Sequence, residues 1–215
     1  WLPGQTTADW TESVDRVIDL RPEHISLYLL ELYPNAPLKD EMARGGWSLA
    51  PDEDAADMYL SGLAALDRAG YGQYEISNVC LAGRESRHNL KYWTDGEWLG
   101  LGCGAHSTRG GARWKNVSAT VDYVERMRSG KEIVVEHRRM TADEQLEEAL
   151  FTGLRLTNGI DIGDVGARYR VDVWSRFGAS LQPFVDDGVL RREGTRLRLT
   201  REGMLVANEV MQVFV

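Results

Sequence analysis

The sequence predicts a mixed α/β protein whose first part alternates helices and strands and whose last part is a winged-helix-like α+β module. Residues 24–30 form an almost continuous apolar run, which suits a buried parallel strand better than a surface strand. Amphipathic helix patterns lie on both sides of that run. Near residue 140 the pattern changes to short helices followed by a hairpin. We therefore expect one unit over residues 1–140 and a second over residues 141–215.

Composition and charge exclude several classes of protein. The net charge of −8 makes non-specific binding to nucleic acid or anionic lipid unfavourable. No uncharged apolar stretch approaches the roughly 18 residues of a membrane span, and no secretory segment is evident, so we expect a cytoplasmic protein. The only two cysteines, Cys80 and Cys103, exclude a disulfide framework. They also cannot hold an iron–sulfur cluster alone, since a cluster normally takes three or four thiolates.

Helix and strand patterns in the first unit follow from apolar spacing and capping residues. Thr7 is expected to cap a helix that buries Trp10, Val14, Val17 and Ile18. A second helix is predicted over residues 52–69, ending at Gly70, with a buried stripe formed by Met58, Tyr59, Leu63 and Leu66. Further along the chain we expect a short strand over residues 73–76, a loop over 77–96 and a strand over 97–102. Ser118 is then expected to cap a helix that runs to Arg128 and is closed by Gly130.

The second unit begins with a capping box, Thr141 with Glu144, ahead of a helix that buries Leu146, Ala149, Leu150 and Leu154. Short helices over 161–169 and 173–186 follow, then a hairpin of residues 189–192 and 196–199 around Gly194, and a last helix capped by Thr200. This order is typical of a winged helix. Residues 141–215 carry more acidic side chains than arginines, which opposes binding to DNA.

The densest set of chemically active residues is the segment Arg87-His88-Asn89-Leu90-Lys91-Tyr92-Trp93. His88 is expected in an irregular region, and a neutral imidazole is a good axial ligand for haem iron. Arg87 or Lys91 could pair with a propionate, and Tyr92 or Trp93 could stack on the macrocycle. The alternative is a loop in which His88 and Asn89 bond the backbone while the two aromatic residues pack into the core. Both interpretations stay open at this point.

A glycine-rich bend follows at residues 100–107, with the sequence GLGCGAHS. Gly102 and Gly104 would let the backbone approach a flat ligand closely, or would simply form a sharp strand exit. The spacing is not that of a dinucleotide-binding fingerprint. We expect Cys103 to be a small buried hydrophobe and His106 a polar core residue, with a second axial ligand as the alternative for His106. His24 and His137 are expected at the surface.

Six segments carry a family resemblance. They are residues 2–6 (LPGQT), 24–28 (HISLY), 74–78 (YEISN), 88–93 (HNLKYW), 100–107 (GLGCGAHS) and 153–156 (GLRL). In this order they resemble the C-terminal half of the radical S-adenosylmethionine (SAM) proteins related to oxygen-independent coproporphyrinogen III oxidase. Within that family the HNxxYW element of residues 88–93 is similar to the haem chaperone branch, and it is the most specific of the six.

The resemblance implies the C-terminal part of a partial (β/α)6 radical SAM barrel, followed by the winged-helix-like domain. It implies that haem is bound with His88 as the iron ligand. Around His88 we expect the other residues of the candidate site: Arg87, Asn89, Lys91, Tyr92, Trp93, Gly102 and Gly104. Haem would then pass to recipient haemoproteins such as respiratory enzymes, with a homodimer as a candidate assembly. No nucleic acid partner is implied.

One departure from the family pattern limits what this chain can do. The CxxxCxxC motif that holds the family's [4Fe–4S] cluster is absent, as is the glycine-rich SAM segment. A barrel of this kind needs roughly 200 residues before any added domain, so truncation is the simplest account. Cluster and SAM would belong to the full-length parent, and this chain alone is not expected to be catalytic. A haem chaperone is the favoured function, and a coproporphyrinogen III oxidase-like oxidoreductase is the alternative.

Overall fold

The computed structural model describes residues 2–28, 30, 33, 35–46 and 52–215, and within them the chain is a mixed α/β protein, as predicted. The helices are α1 (Thr7–Leu20), α2 (Pro37–Gly45), α3 (Asp52–Arg68), α4 (Arg87–Trp93), α5 (Thr120–Ser129), α6 (Ala142–Gly153), α7 (Ile162–Tyr169), α8 (Val173–Asp186) and α9 (Ala207–Met211). The strands are β1 (His24–Ser26), β2 (Gly72–Glu75), β3 (Asn78–Cys80), β4 (His106–Arg109), β5 (Ala112–Asn116), β6 (Val134–Arg139), β7 (Ile160–Asp161), β8 (Leu190–Glu193) and β9 (Arg196–Leu199). They form three three-stranded sheets in this part of the chain.

The first helix begins one residue earlier than predicted. Thr6, not Thr7, is its N-cap, because the Thr6 hydroxyl accepts from the Asp9 amide while the Asp9 carboxylate accepts from the Thr6 amide. Val14 is buried, and the indole Nε1 of Trp10 donates to the Met58 carbonyl oxygen at 2.6 Å. That bond fixes α1 against α3.

The first sheet has the strand order β1-β3-β2, and both outer strands run antiparallel to β3. The prediction of parallel pairing for the apolar run at residues 24–30 is therefore wrong. The tight turn between β2 and β3 returns the chain beside β1, which a local hydrophobic pattern cannot show. The regular strand also ends at Ser26, after which the Leu27 amide donates to the Ser77 carbonyl oxygen. Leu29 lies outside the described residues.

Helix α3 confirms its prediction almost to the residue. Its expected stripe of Met58, Tyr59, Leu63 and Leu66 is buried, and Gly70 follows with φ +90°. Only a residue without a Cβ adopts that conformation readily.

The segment predicted as a loop, residues 77–96, contains strand β3 and helix α4. The loop prediction is wrong because α4 is short, although Ser86 is a favourable N-cap residue. The Ser86 hydroxyl accepts from the Asn89 amide, and seven residues are too few for a clear amphipathic pattern.

The predicted strand over residues 97–102 is also wrong: Trp98 makes one isolated bridge to Thr108. The sheet in this region is instead β4-β5-β6, in which β4 and β5 form a hairpin across Gly110-Gly111. Helix α5 begins at Thr120 with Ala119 as its N-cap, one residue after the predicted cap Ser118, and Gly130 closes it in the left-handed conformation as expected.

The C-terminal segment follows its predictions closely. The capping box of Thr141 and Glu144 is present, and Leu146, Ala149, Leu150 and Leu154 are buried. Helices α7 and α8 and the β8–β9 hairpin lie where expected, and the short strand β7 adds an edge to that sheet. Past Thr200, two 3₁₀ turns flank α9 in place of one continuous helix.

A single cluster of buried apolar residues joins the two segments of the chain. It runs from Val14 and Leu63 through Leu146 and Leu150 to Phe214. Strand β2 also contacts the second segment directly, because Glu75 bridges Leu156 and the Thr157 amide donates to the Tyr74 carbonyl oxygen. Helix α4 packs against helix α6, whose buried leucines belong to this core.

Candidate functional site

Helix α4 presents the HNLKYW segment in two directions. Arg87, His88 and Lys91 are exposed, whereas Tyr92 and Trp93 are half-buried. The helix rise puts His88, Lys91 and Tyr92 on one side, because residues three and four apart are neighbours. These side chains are close together in the sequence, but only the helical conformation shows which of them share a face.

The imidazole of His88 already has a partner one helical turn away. Its Nε2 lies 2.8 Å from the Tyr92 hydroxyl, and the two rings meet edge to face with centroids 5.1 Å apart. This side-chain contact replaces the backbone bond considered from the sequence. It leaves the imidazole at the surface with one ring nitrogen engaged.

Tyr92 is itself held by Trp98, which lies outside the helix. Their ring centroids are 4.5 Å apart in an edge-to-face arrangement. The indole Nε1 of Trp98 donates to the His106 carbonyl oxygen, and the Arg113 guanidinium carbon lies 5.8 Å from the indole ring. From its sequence Trp98 was expected only as part of a strand, although a tryptophan five residues after HNLKYW is a signal for an aromatic contact.

A depression of about 480 Å³ opens beside His88. Its lining residues come from α4, from the stretch after it and from strand β4: His88, Lys91, Glu97, Trp98, Leu99, Thr108 and Arg109. Lys91 and Arg109 supply positive charge, and Glu97 lies 4.0 Å from the Arg109 guanidinium. Leu99 is 59% exposed and gives an apolar surface next to the imidazole. The depression thus combines an imidazole, two cations, one carboxylate and apolar surface.

Arg109 lines the depression beside His88, where Arg87 was expected. Arg87 is exposed at the first residue of α4 and is not part of the depression, whereas Arg109 on β4 is. Sequence reasoning missed Arg109 because it follows His88 by 21 positions and reaches the site only through the β4–β5 hairpin. Asn89 contributes its amide to the Ser86 cap.

Trp93 faces the opposite direction, into the core. The Arg155 guanidinium lies 4.4 Å above its ring, and the Trp93 Nε1 is buried with no hydrogen-bond partner among the described residues. Arg155 also donates to the fully buried Glu75 carboxylate at 3.0 Å. Glu75 in turn accepts from the Ser77 amide and from the Asn78 side chain. The YEISN and GLRL segments therefore meet beneath α4.

The glycine-rich bend is built by hydrogen bonds to the adjacent sheet. The Asn116 carboxamide donates to the carbonyl oxygens of Gly102 at 2.9 Å and Gly100 at 3.3 Å. Gly102 and Gly104 have φ of +101° and +70°, which explains the glycines by backbone conformation. Neither lines the depression beside His88.

Four expectations about histidine and cysteine have definite outcomes. Cys103 and His106 are both exposed, so the prediction that each is buried is wrong. The bend carries them outward, and the Cys103 sulfur lies 3.4 Å from the Thr120 hydroxyl. His137 is exposed as expected, stacked on Trp114. His24 is half-buried, with Nε2 2.9 Å from the Tyr74 hydroxyl.

The described residues do not suit an iron–sulfur cluster. Among them, no three His, Cys, Asp or Glu side chains lie close enough to hold a metal ion. Cys80 is buried, and burial raises the pKa of its thiol, which disfavours the thiolate that binds iron. Haem differs because the porphyrin supplies four of the iron's ligands and the protein needs to add only an axial group. Within the same residues, no helix combines the length and the hydropathy that crossing a membrane requires.

The chain matches a protein-family model and is similar to several curated proteins. The HemN C-terminal domain model matches residues 140–206. The heme chaperone HemW of Bacillus subtilis is 33% identical over 213 residues, which cover 99% of this chain and 56% of that protein. HemW of Mycobacterium tuberculosis is 34% identical over 211 residues, covering 98% of this chain and 52% of that protein.

More distant similarities agree with these. The mitochondrial radical S-adenosyl methionine domain-containing protein 1 of Bos taurus is 31% identical, covering 98% of this chain and 50% of that protein. A solved structure of coproporphyrinogen III oxidase (HemN) from Escherichia coli, described as a radical SAM enzyme, superposes with a TM-score of 0.76 at 17% identity. It covers 99% of this chain and 52% of that chain, and it shows the shared fold. The chain spans about half the length of the curated relatives it matches.

Proposed function

Because this chain is a HemW-like sequence that matches the C-terminal half of its relatives, we propose that it supplies the haem-holding surface of a haem chaperone. Several curated relatives that share 30–37% identity over most of the chain are named heme chaperones. The similarity to coproporphyrinogen III oxidase is weaker in sequence and concerns the fold. The chaperone is therefore favoured over the oxidase-like alternative.

The observation that carries this proposal is the exposed imidazole of His88 at the edge of a depression that Lys91, Arg109 and Leu99 line together with Glu97. A neutral imidazole nitrogen donates its lone pair to haem iron. Lys91 and Arg109 can pair with the two propionates, since charge-assisted contacts to carboxylates are stronger than neutral ones. Trp98 and Leu99 can cover part of the macrocycle. An open site of this kind suits a carrier that must release its cargo.

The remaining predicted site residues act less directly in this proposal. Tyr92 contacts the ligand histidine, and Trp93 anchors α4 to the core through Arg155. Gly102 and Gly104 shape the bend beside the sheet. Asn89 helps to cap the helix on which His88 lies.

The proposal also covers the iron–sulfur cluster, SAM and the protein partners of the full-length parent. The full-length parent is proposed to carry a [4Fe–4S] cluster and SAM in its other half, since the described residues of this chain do not suit a cluster. Recipient haemoproteins such as respiratory enzymes, a homodimer and a cytoplasmic location complete the proposal. No step of haem capture described above depends on the cluster.

A haem titration of the full chain tests the assignment. Imidazole ligation should shift the Soret band on titration with ferric haem, and His88→Ala should abolish that shift and weaken binding more than tenfold, which corresponds to about 1.4 kcal/mol. His106→Ala and Cys103→Ala are matched controls, because both side chains are exposed and lie near the same sheet.

The controls separate the outcomes. Unchanged binding in His88→Ala together with loss in either control would move the ligand to the bend at residues 100–107. Equal binding in all three variants would mean that haem adheres to apolar surface and that the proposed site is wrong.

A further inference from the structure

The nitrogen of His88 that would bind iron is already hydrogen-bonded. Its Nε2 lies 2.8 Å from the Tyr92 hydroxyl, within the normal range for a hydrogen bond. The other ring nitrogen, Nδ1, is adjacent to the ring carbon that carries Cβ. A macrocycle bound through Nδ1 would approach the helix backbone, so Nε2 is the nitrogen with room for a porphyrin.

The hydrogen bond and the iron bond exclude each other in both tautomers. If the Tyr92 hydroxyl donates to Nε2, it uses the lone pair that iron requires. If Nε2 carries the proton and donates to the hydroxyl oxygen, no lone pair is available there. His88 must therefore leave Tyr92 before Nε2 can bind iron.

We propose that Tyr92 is a positioning residue that withholds the His88 imidazole from haem and so weakens capture and favours release. This inference rests on the proposed haem-holding role of His88 and adds to it the control of affinity by Tyr92. Because the two side chains lie one turn apart on α4, the imidazole returns to Tyr92 as soon as the iron bond breaks.

The packing around each side chain indicates that His88, and not Tyr92, moves when their hydrogen bond breaks. Tyr92 is half-buried and packed edge to face on Trp98 with centroids 4.5 Å apart, and Trp98 is tied to the His106 carbonyl oxygen. His88 is exposed, and its ring also meets the Tyr92 ring edge to face. Rotation of His88 toward the depression therefore disturbs less packing than displacement of the tyrosine ring.

The size of the effect follows from a single neutral hydrogen bond. Breaking one such bond against water shifts an equilibrium by about fivefold. Tyr92→Phe keeps the ring that packs on Trp98 and removes the hydroxyl. We therefore expect Tyr92→Phe to bind ferric haem about fivefold more tightly than the unaltered chain, with a slower transfer of haem to apomyoglobin.

A matched control and a haem-free measurement accompany that titration. Tyr123→Phe removes a tyrosine hydroxyl from α5 and should leave haem affinity unchanged. In the haem-free full chain, the ¹⁵N chemical shift of His88 Nε2 should change in Tyr92→Phe and not in Tyr123→Phe. The double variant Tyr92→Phe with His88→Ala should bind haem as weakly as His88→Ala, because Tyr92 acts through the imidazole.

The outcomes distinguish this inference from the proposed function. If His88→Ala weakens binding but Tyr92→Phe binds as tightly as the unaltered chain or less tightly, the withholding role is refuted and the haem site stands. If His88→Ala has no effect, the proposed haem site itself fails. A gain in affinity that persists in the double variant would also refute the action through His88.

Discussion

Glu75 and Arg155, 80 positions apart in the sequence, form an ion pair of 3.0 Å beneath helix α4. The Glu75 side chain is fully buried, and the Arg155 guanidinium covers the ring of Trp93. The pair therefore joins strand β2, the end of α6 and the helix that carries His88. Removing one member of a buried pair is costly because the other charge loses its partner.

We predict that Arg155→Met lowers the free energy of unfolding by about 3 kcal/mol, since Glu75 would remain buried without its cation. Urea unfolding measures the loss. Arg16→Met is the control, because Arg16 pairs with Glu12 at the surface, and a surface pair contributes at most about 1 kcal/mol.

The double variant Glu75→Gln with Arg155→Met tests the coupling between the two side chains. It should lose less stability than the sum of the single variants, because no charge is left unpaired. Additive losses would show that the ion pair is not the source of the effect.

We predict that Lys91→Ala and Arg109→Ala each weaken haem binding about twofold to fivefold, as expected for exposed charge contacts with propionates. Titration with haem and with its dimethyl ester separates the causes. The ester has no propionate charge, so neither substitution should change its affinity. Arg128→Ala, on the exposed side of α5, should leave both titrations unchanged.

We predict that Tyr59 makes the protein less stable in alkali. Burial raises the pKa of its hydroxyl from 10.0 to about 12, because the charged tyrosinate loses solvent in the folded chain and the neutral form is favoured. That stabilisation is complete below pH 10, the ordinary value, and is lost as the pH rises through 12. Two units correspond to about 2–3 kcal/mol.

Thermal unfolding between pH 9 and 12 measures this loss, and absorbance at 295 nm follows the tyrosinate. Tyr59→Phe should be less stable at neutral pH, since the hydroxyl donates to the Ile76 carbonyl oxygen at 2.7 Å. It should, however, lose less stability on going to pH 12. An identical alkaline loss in both proteins would assign the effect to another group.

We predict that Gly100→Ala destabilises the bend more than Gly102→Ala. A Cβ on Gly100 would clash with the His106 carbonyl oxygen, a backbone atom that cannot easily move, and we expect this to cost about 2–3 kcal/mol. Gly102 has open space around that position, and its φ of +101° gives a cost of about 1 kcal/mol.

Chemical unfolding compares the two variants, and near-ultraviolet circular dichroism adds a local readout. The His106 carbonyl oxygen accepts from the Trp98 indole, so Gly100→Ala should also change the tryptophan signal. A larger loss in Gly102→Ala would contradict the argument from close contact.

The elements that sequence predicted well are those whose signals are local. The capping box of Thr141 and Glu144, the stripe of α3 and the glycine that ends it are each encoded within a few residues. The C-terminal segment is rich in such signals, and its helices and hairpin lie where they were expected. Helix α4 was missed because it is too short to show periodicity and depends on its Ser86 cap.

The sequence by itself determined the α/β class, the helices with clear caps, and the HNLKYW segment as the place to look for a haem ligand. Tertiary structure alone decided that β3 pairs antiparallel with β1, and that β4 brings Arg109 beside His88. It also decided that Trp98 holds Tyr92 and that Trp93 turns inward to Arg155. The physical reason is that strand pairing and aromatic packing are contacts between segments that are distant in the sequence. The free energy of such a contact depends on how the segments pack in the shared core, and not on the residues adjacent to them in the sequence.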